Sequence, residues 1–113
     1  MKDTSHNFLC GIPCSKLAVW IKENITEYIP VTSESEAIGL SIGAYLVGKK
    51  PLCFMQDAGL ANAINVVSSF LKPYNITINI LVSIRKSPAY HKFTGDRIKK
   101  LMEVLEYKGC SYL

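Results

Sequence analysis

Charge is scarce in this chain, and histidine scarcer. Only 19% of the 113 residues are charged and only two are histidines, against 49% apolar residues, which argues for a packed globular protein over a disordered one. Long hydrophobic runs are missing too. The longest strongly apolar stretch, Ala37 to Val47, is interrupted by glycines and a serine and is too short to span a bilayer, so no membrane association is expected. The opening stretch, Met1 to Asn7, is polar with no apolar signal core, and a cytoplasmic location is expected. Four cysteines are scattered along the chain, and reduced thiols are expected. Cys10 and Cys14 are four apart, but neither His6 nor His91 completes a metal-ligand pattern, so no metal site is expected. Stacking aromatics are few where the positive charge is densest. The net charge of +4 gathers late, at Arg85, Lys86, Lys92, Arg97, Lys99, Lys100 and Lys108, and Tyr90 and Phe93 among them do not make a stacking stripe. That is a poor footprint for nucleic acid. It fits a solvated face, an anionic small ligand or an acidic partner chain.

Strand and helix signals alternate. Asn7 to Ile12 reads as a buried strand stopped by Pro13, and Ser15 is placed to cap a helix through Asn24. Tyr28 to Val31 reads as a second strand. A second helix is expected from Glu34 to Val47, with Gly48 as its C-terminal cap. Leu52 to Met55 is apolar without alternation, as suits a strand covered on both faces. A third helix is expected over Leu60 to Leu71. Ile76 to Ile84, rich in β-branched residues, is the strongest strand signal. Arg85 to Thr94 reads as a loop, Asp96 to Tyr107 as an amphipathic helix, and Cys110 to Leu113 as the start of a fifth strand. The order predicts a three-layer α/β fold: a mostly parallel sheet of four or five strands with helices on both faces, joined by right-handed crossovers. Without repeats or linkers, residues 1–113 are expected to form a single domain. Near both ends of the sequence at least one sheet face is expected to lack a helix and leave apolar surface for a partner.

In such sheets ligands bind beyond the carboxyl ends of the strands. Those ends hold Pro13-Cys14-Ser15, Ser33-Glu34, Gln56-Asp57-Ala58-Gly59 and Arg85-Lys86. Ser33 and Glu36 are spaced as a capping box, in which Glu36 reaches back to the N–H of Ser33. Glu34 has no such duty. From position alone its plain role is a carboxylate at the positive end of the helix dipole. Gly39 and Gly43 share a helix face and cost about 1 kcal/mol each relative to alanine, which either tight helix–sheet packing or the close approach of another backbone would offset. Gln56 to Gly59 reads as a flexible turn into a helix start, neither a Walker loop nor a dinucleotide fingerprint.

These segments together resemble the pyrimidine-binding domain of thiamine-diphosphate enzymes, most nearly the sulfopyruvate decarboxylase alpha-subunit and phosphonopyruvate decarboxylase family. The resemblance rests on Gly11-Ile12-Pro13-Cys14-Ser15, on Glu34 with Ala37 and Gly43, and on the run Gly43 to Lys50. It extends through Gln56-Asp57-Ala58-Gly59-Leu60-Ala61-Asn62 and Asn65, and covers about Phe8 to Gly95. It implies a pyrimidine-binding fold, shortened here at both ends. It implies that Glu34 hydrogen-bonds the aminopyrimidine ring and favours the tautomer that removes the thiazolium proton. It further implies cofactor contacts from Gln56, Gly59 and Asn62. Tyr90 to Gly95 resembles the family's Gln-His-x-x-Met-Gly segment, which makes His91 a second catalytic candidate. Cys14, Ser15, Arg85 and Lys86 are candidates for the substrate anion. The sequence departs from the family at Asp57, where an amide is usual and a carboxylate would add negative charge near the site. It departs also at Ala61 and Lys86, where glycines are usual. Nothing in it resembles the Gly-Asp-Gly…Asn motif, so the cofactor is expected to be shared with a diphosphate-binding beta subunit that holds Mg2+. The implied function is the alpha subunit of a hetero-oligomeric decarboxylase of an anionic 2-oxo acid, sulfopyruvate or phosphonopyruvate. The alternative is a non-catalytic interaction or regulatory module on the same fold.

Overall fold

Five short strands and six helices alternate along residues 5–113, the part of the chain described by the computed structural model. The elements are β1 Phe8–Gly11, α1 Ser15–Asn24, β2 Ile29–Pro30, α2 Glu34–Leu46, β3 Pro51–Gln56, α3 Asp57–Asn62, α4 Ile64–Val66, β4 Asn79–Ser83, α5 Ala89–Gly95, α6 Ile98–Val104 and β5 Cys110–Tyr112. A π-helical turn, Val67–Leu71, continues α4. The strands form one sheet in the order β2-β1-β3-β4-β5, every neighbouring pair parallel. The part of the opening stretch before Ser5 lies outside the described residues.

Side-chain alternation sorts the core into two layers. Along β3, Cys53 and Met55 face a cluster with Ala37, Ile38, Leu60, Val67, Ile98 and Met102, while Leu52 and Phe54 face one with Leu17 and Ile25. Four helical segments thus cover one face. On the other, α1 stands alone among the described elements, and its own Trp20 and Ile21 pack against the cluster around Leu17. The asymmetry follows from topology. The chain leaves β1 toward one edge and returns past it to β3, so right-handed crossovers put α1 on one side and the later helices on the other.

Local chemistry sets most boundaries. Ser33 caps α2: its Oγ accepts the Glu36 N–H at 3.1 Å. The reciprocal arm goes one residue further than the capping-box spacing suggests, because Glu36 Oε1 accepts the N–H of Thr32 at 2.8 Å. Gly48 ends the helix at φ +89°. Ser15 is not a cap. It is the first residue of α1, behind an extended Cys14 that makes no side-chain capping bond. Gly39 and Gly43 do not serve helix–sheet packing. A Cβ at either would meet no described atom within 4 Å, and both lie exposed among Leu40, Leu46 and Val47.

Four expectations shift. The third helix starts at Asp57, directly at the end of β3, and breaks at Ala63 before α4. The loop expected over 85–94 contains α5, and the amphipathic helix is trimmed to Ile98–Val104. β4 is held to Asn79–Ser83, the residues that find partners on β3. Among the described residues no helix is long and apolar enough to cross a membrane.

Candidate functional site

The sheet order reverses between β1 and β3, and beyond the carboxyl ends at such a reversal is where open α/β sheets bind ligands. The carboxyl edge of the sheet gathers Glu34 from the first turn of α2, Gln56 from the last residue of β3, Gly59 from α3 and Arg85 just after β4.

Glu34 and Gly59 form the tightest feature of this edge. Glu34 is half-buried, and its side chain lies directly over the Gly59 backbone. A Cβ at Gly59 would stand 2.3 Å from Glu34 Cγ and 2.5 Å from its Oε2, closer than any real contact. Glycine is therefore what lets the carboxylate lie across α3. Glu34 takes no part in the cap, which Ser33 and Glu36 complete between them.

Behind this pair, Gln56, Asp57 and Arg85 form a polar network. Arg85 Nη1 donates to Gln56 Oε1 at 3.5 Å, and Nη2 donates to the Ser87 carbonyl at 3.0 Å. Asp57 is only 1% exposed. Its Oδ1 accepts the Ala58 N–H at 2.9 Å and its Oδ2 accepts the Arg85 N–H at 3.3 Å. Both oxygens of the carboxylate are thus engaged by backbone donors, instead of standing as bare charge beside the site. Ser83, paired with Gln56 in the sheet register, is fully buried with an Oγ that finds no partner.

The remaining candidates stand apart from the Glu34–Gly59 contact. Lys86 is exposed and turned to Asp96, 3.2 Å away, which also pairs with Lys92 at 2.9 Å. The hydrogen bonds from Lys92 and Lys86 hold the Asp96 carboxyl below its ordinary range. Lys86 is therefore occupied, while Arg85 is oriented along the edge. His91 is half-buried on α5, its ring 4.5 Å from that of exposed Tyr90. Asn62 is exposed one turn beyond Gly59. Cys14 packs against the core layer under α1, and Ser15 is exposed at the start of that helix.

The buried thiols are chemically quiet. Burial raises the Cys10 and Cys53 thiols, and desolvation pushes Cys110 up to about 11. Among the described residues no group of three or more His, Cys, Asp or Glu could hold a metal ion.

Asp57 emerges from the structure with a role that the sequence reading did not give it, tying the end of β3 to the Arg85 backbone. Asp57 directly after an apolar strand was the available signal, since aspartate there accepts nearby backbone N–H groups.

No family model matches the chain. Curated relatives do. The chain is 37% identical to sulfopyruvate decarboxylase subunit alpha of Methanocaldococcus jannaschii, over 94% of this chain and 68% of the relative. It is 35% identical to the subunit of the same name from Methanococcus maripaludis, over 92% of this chain and 67% of that one. Phosphonopyruvate decarboxylase of Streptomyces viridochromogenes is 34% identical over 78% of this chain, which spans 25% of that longer protein.

Proposed function

The chain belongs to the sulfopyruvate decarboxylase alpha-subunit family, and from that premise we propose that it supplies the pyrimidine-facing half of a thiamine-diphosphate site in a decarboxylase of an anionic 2-oxo acid. The observation that carries this reading is the Glu34 carboxylate laid over Gly59 at the carboxyl edge of the sheet.

The residues present fit one half of the cofactor. Glu34 is a half-buried carboxylate with a glycine cradle beneath it, suited to hold a proton at a ring nitrogen of the aminopyrimidine. Gln56 and Asn62 offer amide donors and acceptors on the same edge. On this reading the diphosphate and its metal are held by a companion beta subunit. When bound, thiamine diphosphate supplies the electron sink for the carbon–carbon bond that breaks as carbon dioxide leaves. This chain's own residues orient and neutralise. Glu34 holds or releases the proton, and Arg85 faces the negative charge of the substrate. His91, one helix away, stands as a second proton donor, and Cys14 and Ser15 close the edge at the start of α1. Lys86 is set aside for Asp96.

The exposed face of α2, with Gly39, Leu40, Gly43, Leu46 and Val47, suits a chain that works against a partner. That face serves the second reading, a non-catalytic interaction module, equally well. Co-expression with a companion subunit separates the two. The complex is expected to release carbon dioxide from sulfopyruvate or phosphonopyruvate only with thiamine diphosphate and Mg2+ present, and the isolated chain to release none. A cofactor-loaded complex inert toward both acids and toward pyruvate would leave the interaction module.

A further inference from the structure

We propose that Asp57 is a positioning residue that fixes Arg85 as the receptor for the distal anionic group of the substrate. The inference rests on the decarboxylase reading above and deepens it.

The geometry starts from burial. A carboxylate 1% exposed is costly unless its lone pairs are filled, and here two backbone N–H groups fill them. One donor, Ala58, belongs to the first turn of α3. The other, Arg85, follows β4, 28 positions along the chain. Asp57 therefore bolts the end of β3 to the segment leaving β4.

Every other handle on Arg85 is also held. Its carbonyl oxygen presses on the end of α5, where a Cβ at Gly95 would stand 2.2 Å away. One guanidinium nitrogen donates to Gln56 and another to the Ser87 carbonyl. Among the described residues no carboxylate pairs with that guanidinium. A planar fork with its backbone fixed and its charge uncompensated is preorganised for a tetrahedral oxyanion such as a sulfonate or phosphonate. Lys86 next door, drawn to Asp96, is not.

Alanine at position 57 removes both acceptors, so the Ala58 and Arg85 N–H groups lose their partner, whereas the amide usual in the family could still serve one of them. In the isolated chain, Asp57→Ala is expected to speed hydrogen exchange of the Arg85 amide by about tenfold. In the complete complex it is expected to raise KM for sulfopyruvate by about tenfold with kcat changed less than about twofold, while pyruvate, which lacks the anionic tail, reacts as before. Should the alanine variant fail to fold, Asp57→Ser, which can serve only the nearer donor, replaces it in both measurements.

An Arg85 amide that exchanges as in wild type overturns the proposal. So does a rise in KM shared equally by sulfopyruvate and pyruvate. A wild-type complex with no decarboxylase activity removes the substrate role and the proposed function together, and the exchange measurement then decides whether Asp57 positions Arg85 at all.

Discussion

Glu34→Gln in the complete complex is expected to cut carbon dioxide release by at least about 100-fold, the usual scale for loss of a positioned acid–base group. Glutamine has nearly the same shape, so it can still lie over Gly59. It cannot hold and release the proton. The fold has little reason to notice, because the α2 cap is made by Ser33 and Glu36. The stability lost is the attraction of one carboxylate for the helix dipole, about 0.3–1 kcal/mol. Thermal unfolding of the variant beside wild type checks that part, and a carbon dioxide assay at saturating cofactor checks the first. A variant that turns over like wild type would remove Glu34 from the chemistry.

Gly59→Ala is expected to be nearly as damaging to turnover and nearly as harmless to the fold. The added methyl group would stand 2.3 Å from Glu34 Cγ, so one of the two must move. The obstacle is the far part of a flexible side chain, and it rotates away cheaply. Alanine also favours helix over glycine by about 1 kcal/mol, which offsets part of the strain. What is lost is the placement of the carboxylate, and a misplacement of about 1 Å costs on the order of 100-fold in rate. Gly95 and Gly109 make the contrast. There the nearest atoms are backbone carbonyl oxygens of Arg85 and Ile78, which cannot rotate aside. If Gly59→Ala kept full activity and wild-type unfolding, the cradle would have no bearing on the reaction.

The legible parts of this fold were the local ones. The Ser-x-x-Glu spacing located the start of α2, Gly48 its end, and the apolar runs located β3 and β4. Those signals act within a few residues of the positions they mark. The start of α3 was misread because Asp57-Ala58-Gly59 has the composition of a turn. It is helical because Asp57 engages the Ala58 N–H and because Gly59 answers to a side chain 25 positions earlier. Helix α5 carried no apolar periodicity to find, since Tyr90 and Phe93 are exposed. At the site, the positions of Glu34, Gln56 and Arg85 at strand ends followed from the alternation of elements. The division of labour between Arg85 and Lys86 did not, since it depends on where α5 presents Asp96.

The outermost strand has a consequence for motion. β2 meets the sheet through Ile29 and Pro30 and one bond from the Val31 N–H to the Gly11 carbonyl at 3.2 Å, and proline brings no N–H to the ladder. The arm that delivers Glu34 is thus moored by its helix cap far more than by its strand. Fraying at this margin is a low-cost excursion for that side of the sheet, and only the exposed Thr32 and Ser33 and the half-buried Val31 separate it from Glu34. A ligand gripping Glu34 would quiet that margin and, by the same linkage, would bind less tightly to any variant in which β2 frays.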